Sequence, residues 1–453
     1  MKSKPQPWDK GKVIVSENKR FLQHENGQPF FWLADTGWLI FDRLNRMEVE
    51  IYLRNRKKLG YNVIQAMVIH EISQTNVYGS KALIDKDFYK INKPETSDED
   101  QYNYWKNVDF VIEKAAEVGL YMALVPVWGS VVKNGYLTEA KAKYYGRWLA
   151  ERYKDYPNIF WLNGGDIKGN IKKSVWTTLG KTIKSIDPDH LMTFHPFGRR
   201  QSSTWFHEEE WLDFNMFQSG HRRYDQRGDD PEAIWKGEDN WRYVEEDYQK
   251  RPIKPTLDGE PSYEGIPQGL HDPEEPFWKA QDCRRYAYWS VLAGACGHTY
   301  GHGAIMQMNK PEFKEEGYGV KKYWYEVLED PGGNQMRFLK NLILSRPYYN
   351  RVPDQSLVAG DSGEKYDKVI VSRGQSYIIA YIYTARSFKL KMGKITGDKV
   401  KTWWYHPETG TPIFIGEYKN EGIREFNPPG EKRKSNDWVL VIDDKFQDFS
   451  KPG

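Results

Sequence analysis

The chain has 453 residues, with 66 basic and 63 acidic side chains and a formal net charge of +3. This length exceeds what one small core needs and predicts a large domain accompanied by a smaller one. The balanced charge, without basic runs, excludes a dedicated nucleic-acid-binding protein. No apolar run reaches the roughly 18 residues of a membrane-spanning helix, so we expect no membrane span.

The N-terminal residues Met1 to Pro5 lack an apolar signal core. The protein is therefore expected to be either cytoplasmic or a mature periplasmic or secreted form whose signal peptide has been removed. The two cysteines, Cys283 and Cys296, do not form a disulfide framework, and we expect two buried thiols. The 18 Trp, 30 Tyr and 20 Phe residues are unusually abundant. Aromatic rings pack in cores and also stack on sugar rings.

The N-terminal segment 1–29 is predicted to contain a β-hairpin that packs on the main domain, with Asn26-Gly27 in a type I′ turn. From Phe30 onward, strand-like and helix-like segments alternate. Strands are predicted at 30–36, 61–69, 121–128, 158–163, 191–196, 213–218, 255–260 and 294–300. Helices are predicted at 45–58, 100–118, 138–154, 174–186, 207–211, 239–249, 276–292 and 334–345.

Strand–helix units across 30–346 predict a (β/α)₈ TIM barrel. The alternative is a doubly wound open sheet, which usually carries a glycine-rich phosphate loop after its first strand. Here that strand ends in Asp35-Thr36-Gly37-Trp38, which favours the barrel. Residues 347–453 contain strand-like runs at 369–371, 377–383, 401–405 and 438–442 without convincing helices. They predict a C-terminal antiparallel β-sandwich.

Active sites of such barrels lie at the C-terminal ends of the strands. Asp166 follows the fourth predicted strand and Glu260 follows the seventh, so the two acids can face each other across the barrel mouth. A pair of carboxyl groups that flank a sugar is the machinery of a glycosidase. We predict Asp166 as the acid/base and Glu260 as the nucleophile. The alternative is that Asp166 caps the following helix while Glu260 forms a structural ion pair.

Other polar and aromatic residues at strand ends are candidates for substrate binding: Asp35, Trp38, His70, Trp128, Asn163, His195, Gln218 and His302. Asp258 is expected to share the inward face of Glu260, and Glu264 to be a solvated charge at the rim. His298 and His302 are four residues apart but lie at a strand end, where the helical geometry of a zinc pair is absent. We therefore predict no metal and no other cofactor.

Three segments carry a family resemblance: Trp32 to Trp38, Asn163-Gly164-Gly165-Asp166, and Asp258-Gly259-Glu260-Pro261 with Tyr263-Glu264. Together they resemble glycoside hydrolase family 140, the apiosidase-like proteins. The resemblance implies a catalytic barrel, a C-terminal β-sandwich, and retaining hydrolysis of apiose linkages in the pectic polysaccharide rhamnogalacturonan-II. It places the acid/base on Asp166 and the nucleophile on Glu260. It also implies a bacterial protein exported to act on plant cell-wall oligosaccharides or polysaccharides.

Two alternatives remain open. One keeps the two carboxyl groups in a retaining glycosidase but changes the sugar. The other is a carbohydrate- or matrix-binding protein whose barrel has lost catalysis. Turnover of glycosides separates the enzymes from the binding protein. The C-terminal domain either binds sugar or braces the barrel, and we favour bracing.

Overall fold

The computed structural model describes residues 5–94, 100–228, 230–313 and 317–453. Residues 1–4 of the predicted N-terminal segment therefore lie outside the described part of the chain. The eight strands predicted for the barrel are all present. They are β1 Trp32–Thr36, β2 Val63–Met67, β3 Tyr121–Val125, β4 Ile159–Ile167, β5 Met192–Pro196, β6 Asn215–Gln218, β7 Thr256–Asp258 and β8 Gly297–Tyr300.

The strands form a parallel sheet in the order β5-β4-β3-β2-β1-β8-β7-β6, extended at β6 by the short antiparallel strand Arg200–Gln201. The remaining gap lies between β5 and β6. It is bridged by the Asp213 backbone N–H, which donates to the Met192 carbonyl oxygen at 2.8 Å. The Thr193 hydroxyl also donates to the Phe214 carbonyl oxygen at 2.6 Å. The sheet is thus a nearly closed barrel, and the predicted fold class is confirmed.

Helices surround the barrel between consecutive strands. The longer ones are Arg46–Lys58, Tyr104–Glu117, Glu139–Tyr153, Lys173–Ile186, Asn240–Gln249, Ala280–Leu292 and Pro331–Leu344. Shorter α-helices are Ile40–Arg43, Gly129–Lys133, Ser203–Phe206 and Gly303–Met306. The prediction of a helix at 207–211 is wrong, because the helix between β5 and β6 is Ser203–Phe206, whose N-cap residue Ser202 makes no side-chain capping hydrogen bond.

The capping box of helix Arg46–Lys58 shows how the sequence sets a helix start. The Glu48 backbone N–H donates to Asn45 Oδ1 at 3.0 Å, and the Asn45 N–H donates to Glu48 Oε2 at 2.8 Å. Two backbone donors that the helix cannot satisfy internally are thereby paired. The helix carries Tyr52 and Arg56 on its buried face, toward β1.

The N-terminal segment forms a three-stranded antiparallel sheet of Val13–Val15, Leu22–His24 and Pro29–Phe30. Its last strand packs on the barrel, where the rings of Phe30 and Tyr121 lie 5.3 Å apart. The predicted type I′ turn is wrong, because only Gly27, with φ 82°, is in the left-handed region. A type I′ turn needs both central residues there.

The C-terminal domain consists of a six-stranded and a two-stranded antiparallel sheet. In sheet order, the six strands are Val352–Pro353, Val369–Arg373, Tyr377–Ile382, Trp438–Asp444, Lys399–His406 and Thr411–Lys419. The two-stranded sheet pairs Phe388–Lys391 with Ile423–Phe426. Because side chains alternate along a strand, the six-stranded sheet has two buried faces. Ile379 and Val441 belong to the core of the barrel, whereas Ile378 and Leu440 pack with Leu390 of the small sheet.

Buried ion pairs join the domains as well. The Arg284 guanidinium, on helix Ala280–Leu292, donates to both carboxylate oxygens of Asp437 at 2.9 and 2.8 Å. Arg346 contacts Asp443 in the same bidentate way, at 2.7 Å for each bond. Cys283 and Cys296 are buried free thiols, as predicted. Within the described ranges, no helix has both the length and the apolar character needed to cross a membrane.

Candidate active site

A cleft of about 620 Å³ opens at the C-terminal ends of the barrel strands. Both predicted catalytic acids line it. Its walls also include Trp38, His70, Trp128, Gln218, His221, Tyr263 and Tyr318. These residues follow different strands of the barrel, so the cleft is built by loops that the closed sheet brings together.

Glu260 follows β7 and is held by two histidines. His221 Nε2 donates to Glu260 Oε1 at 3.0 Å, and His195 Nε2 lies 3.1 Å from Glu260 Oε2. Burial alone raises the pKa of Glu260, but its contacts with His195 and His221 outweigh burial and lower the pKa to about 2. The side chain is therefore a carboxylate over the whole physiological pH range.

Asp166 lies on a bulge near the end of β4. Gly164 pairs with His195 and Ile167 pairs with Pro196, so Gly165 and Asp166 are inserted between two consecutive positions of β5. The Asp166 backbone has φ 46°, in the left-handed region. Its N–H, outside the regular ladder, donates to His195 Nδ1 at 3.3 Å. The bulge thereby aims the Asp166 side chain into the cleft.

The environment of Asp166 favours its protonated form. The side chain is accessible from the cleft, but protein walls surround it. Their desolvation, together with the charge of Glu260, raises the pKa of Asp166 to about 6, although His195, His221 and a hydrogen bond from Gln218 act in the opposite direction. The pKa values of the two acids of the cleft thus differ, so that Asp166 tends to be a neutral acid and Glu260 an anion.

The two glycines before Asp166 are required by the backbone conformation of the bulge. Gly164 and Gly165 have φ values of 93° and 116°, which L side chains rarely adopt. A Cβ atom at Gly165 would lie 2.4 Å from Cε3 of Trp128. Glycine is therefore required both for the bulge and for the close approach of the Trp128 ring.

Aromatic rings form one wall of the cleft. The Trp38 and Trp128 centroids are 5.4 Å apart, and Trp38 also meets the His195 ring edge-on at 5.3 Å. Trp38 Nε1 donates to the Tyr263 hydroxyl at 3.1 Å, and Tyr263 packs against His221 at 4.6 Å. These contacts fix the rings around the nucleophile and leave apolar surface of the kind that sugar rings stack on.

The structure places four of the predicted substrate-binding residues on the cleft: Trp38, His70, Trp128 and Gln218. His195 is fully buried and contacts Glu260 rather than the open space. Burial lowers the pKa of His70, which keeps this ring neutral near pH 7.

Three predicted substrate-binding residues lie outside the wall of the cleft. Asp35 is fully buried and accepts a 2.7 Å hydrogen bond from the Tyr52 hydroxyl. Asn163 donates to the Trp176 carbonyl oxygen at 2.9 Å. His302 accepts from the Ala304 N–H at 3.1 Å and lies 3.3 Å from Asp330. Each side chain points toward a surrounding helix or loop, because strand alternation or the following turn directs it away from the barrel axis.

The two competing acids are also positioned differently from expectation. Asp258 is the last residue of β7, so alternation stops before Glu260 and the two do not share a face. Its carboxyl group accepts from the Ser219 hydroxyl at 2.7 Å, and burial raises its pKa to about 7. Glu264 is buried rather than solvated, and it accepts from the Tyr300 hydroxyl at 2.6 Å.

His221, Tyr263 and Tyr318 line the cleft but are not among the predicted site residues. His221 and Tyr263 lie in loops after β6 and β7, and Tyr318 enters the cleft from the loop after β8 with φ 61°. Burial raises the pKa of Tyr318, and the charges of Glu260 and Asp166 raise it further. The described ranges contain no cluster of three or more His, Cys, Asp or Glu side chains suited to a metal ion.

A nearly closed (β/α)₈ barrel with an acid and a carboxylate in its mouth has the architecture of a glycoside hydrolase. A family model described as "Apiosidase-like, catalytic domain" matches residues 16–350. The chain belongs to this apiosidase-like family. Residues 352–443 match a second model, described as "Putative collagen-binding domain of a collagenase".

Solved structures agree with this class. One described as a glycoside hydrolase is 50% identical, with a TM-score of 0.95, and the match covers 98% of this chain and 100% of that one. A glycoside hydrolase family 5 protein from Bacteroides vulgatus ATCC 8482 is 47% identical, also with a TM-score of 0.95, over 99% of this chain and 96% of its own. No curated protein matches the chain.

Proposed function

We propose that the protein is a retaining glycoside hydrolase with Asp166 as acid/base and Glu260 as nucleophile. The observation that carries this proposal is that both acids line one cleft, Asp166 on the bulge of β4 and Glu260 against His195 and His221. The pKa values agree with these roles, at about 6 for Asp166 and about 2 for Glu260. In the first step Glu260 attacks the anomeric carbon while Asp166 gives its proton to the leaving oxygen. In the second step Asp166 accepts a proton from water, which attacks the same carbon and releases Glu260.

The electrostatics support both steps. The carboxylate charge of Glu260 raises the pKa of Asp166. When Glu260 forms the ester bond with the sugar, this charge disappears and the pKa of Asp166 falls. Asp166 then acts as a base at the pH at which it previously acted as an acid.

The proposed substrate is an apiose-containing side chain of rhamnogalacturonan-II, a plant cell-wall pectin. The match of residues 16–350 to the apiosidase-like model supports this choice. So do the motifs shared with glycoside hydrolase family 140, whose acid and nucleophile fall on the two acids of the cleft. The apolar wall of Trp38 and Trp128 suits one face of a sugar ring.

We also propose that the protein acts outside the cytoplasm, in the periplasm or as a secreted protein, because an intact polysaccharide does not cross a membrane. A cytoplasmic enzyme would act on imported oligosaccharides instead. Fractionation of the native host, with detection of the protein in each fraction, distinguishes the two locations.

The test is hydrolysis of a panel of aryl glycosides, including an apioside, together with pectic oligosaccharides. Proton NMR of the first product reports its anomeric configuration. Retention supports the proposal, and inversion refutes the nucleophile assignment. Turnover of another sugar leaves the mechanism intact but changes the substrate. Binding without turnover on the whole panel favours the non-catalytic carbohydrate-binding alternative.

A further inference from the structure

The His195 side chain contacts both halves of the catalytic pair. Its Nδ1 accepts the Asp166 backbone N–H at 3.3 Å, and its Nε2 lies 3.1 Å from Glu260 Oε2. The ring is fully buried, and it is held between Trp38 and Trp128 at centroid distances of 5.3 and 5.8 Å. The ring is therefore positioned by contacts with both residues.

The bulge explains why this contact is needed. Gly165 and Asp166 are inserted between the paired positions Gly164–His195 and Ile167–Pro196, so Asp166 has no place in the strand ladder. A buried backbone N–H without an acceptor is costly. The imidazole nitrogen of His195 supplies that acceptor and stabilises a non-glycine residue at φ 46°.

We propose, on the basis of the retaining mechanism above, that His195 is a positioning residue that fixes the proton donor and orients the nucleophile through a single tautomer. A neutral imidazole has one donor and one acceptor. Because Nδ1 accepts from Asp166, the ring proton is on Nε2, which lies 3.1 Å from Glu260 Oε2. The reverse tautomer would lose both contacts, placing two N–H groups against each other and a lone pair against the carboxylate.

His221 is the natural control. Its Nε2 donates to Glu260 Oε1 at 3.0 Å, but its Nδ1 has no hydrogen-bond partner, and none of its hydrogen bonds reaches the Asp166 backbone. Removing His221 therefore leaves the backbone anchor of the acid in place. Removing His195 affects the nucleophile and the anchor of the acid.

Two substitutions separate the roles of His195. In His195→Asn the amide lies near the former Nδ1 position, so it still accepts from Asp166 but no longer reaches Glu260. In His195→Gln the amide lies near the former Nε2 position, so it still donates to Glu260 but loses the Asp166 anchor. Circular dichroism and thermal melting of each variant establish that it is folded.

Rates are compared on two glycosides of the sugar that the wild type hydrolyses, with 2,4-dinitrophenol and with 4-methylphenol as leaving groups. The first leaves without protonation, and the second needs an acid. We expect His195→Gln to lose about 100-fold in kcat/KM on the methylphenyl glycoside but less than about 10-fold on the dinitrophenyl glycoside. His195→Asn and His221→Ala should lose a similar factor on both. Equal losses for His195→Gln on the two glycosides, or a leaving-group-dependent loss for His195→Asn, would overturn the proposal.

A measurement without substrate tests the same inference independently. Nitrogen NMR of the ¹⁵N-histidine-labelled protein at pH 7, assigned with His195→Gln, shows which ring nitrogen carries the proton. A proton on Nε2 alone supports the proposed tautomer, and a proton on Nδ1 refutes it. If the wild type hydrolyses no glycoside, the proposed function fails while this result still decides the position of His195.

Discussion

The Asp166 carboxyl group and the Glu260 carboxylate lie in one cleft, and the charge of Glu260 increases the proton affinity of Asp166. Burial and the charge of Glu260 raise the pKa of Asp166 to about 6, whereas two histidines outweigh burial and lower the pKa of Glu260 to about 2. Between these values the cleft holds one proton, on Asp166, which is the state that begins glycoside cleavage.

The pH dependence of kcat/KM should follow from this state. As pH rises through about 6, Asp166 loses its proton, and kcat/KM is expected to fall about tenfold per pH unit. On the acid side Glu260 stays ionised down to a pH of about 2. Initial rates on a poor leaving group, measured between pH 4 and about 9, test the alkaline limb. The limb should vanish in Asp166→Asn on a dinitrophenyl glycoside, and its persistence there would assign it to another group.

Removal of the nucleophile should abolish turnover. Glu260→Gln keeps the size of the side chain but cannot form the glycosyl ester, so kcat should fall at least about 10³-fold, or about 4 kcal/mol in activation free energy. Asp258→Asn is the matched control from the same segment. Asp258 faces Ser219 outside the cleft, so we expect a loss below about 10-fold. The reverse order of effects would exchange the assignments of the two acids.

Glu260 should also make stability depend on pH. Its pKa is 4.5 ordinarily and about 2 in the folded protein. A group with a lowered folded pKa stabilises the native state above its unfolded pKa, and this stabilisation is lost as pH falls through the folded value. The difference in the free energy of unfolding between wild type and Glu260→Gln should therefore be constant above about pH 5. As pH falls to about 2, the wild type should lose stability relative to Glu260→Gln. Urea unfolding at several pH values measures it, and a pH-independent difference would contradict the lowered pKa.

The glycine before the acid should tolerate no side chain. In Gly165→Ala the new methyl group would lie 2.4 Å from Cε3 of Trp128 at φ 116°. The ring and the Asp166 bulge must move, and we expect kcat to fall about 10²-fold, because a displacement of about 1 Å has effects of this size. Gly135→Ala is the control for backbone strain alone, since φ is 82° there and nothing lies within 4 Å. Comparable activity losses in both variants would mean that the contact with Trp128 is unimportant.

The buried pair Arg284–Asp437 should be important for stability. Asp437→Ala leaves a buried guanidinium without its carboxylate, and we expect about 3–5 kcal/mol of destabilisation by urea unfolding. The side chains of Lys419 and Glu421 form an ion pair while 77% and 72% exposed, so Glu421→Ala should cost less than about 1 kcal/mol. An equal effect of the two substitutions would show that the guanidinium finds water or another acceptor.

The barrel could be predicted from sequence because its strands are short apolar runs that end in glycine or polar residues, and all eight are present. The depth of a side chain in the barrel was therefore predictable, but its direction was not. Asp35 and Asn163 lie at the expected height along the barrel axis but face the surrounding helices. There Asp35 accepts a hydrogen bond from Tyr52, and Asn163 donates one to the Trp176 carbonyl oxygen. Whether a strand-end residue faces the axis depends on the exact strand register, which single-sequence patterns do not fix.

Loops were harder to predict than strands. Tyr318 reaches the cleft through a left-handed backbone conformation that no local pattern indicated. In the C-terminal domain, the strands near 369–371, 377–383, 401–405 and 438–442 were found, whereas Thr411–Lys419 was missed. Most of its side chains are exposed or half-buried, so it lacks the apolar alternation that marks a strand.

The core that the barrel shares with the C-terminal sheet constrains how this protein can be divided. Arg351, at the junction between the two matched segments, is buried and donates to the Ala295 carbonyl oxygen at 2.8 Å, so no linker separates them. Cutting the gene there would leave each half with a bare apolar face, prone to aggregate. Gene fusions that borrow the catalytic half should carry both halves, and limited proteolysis should release no stable fragment from this junction.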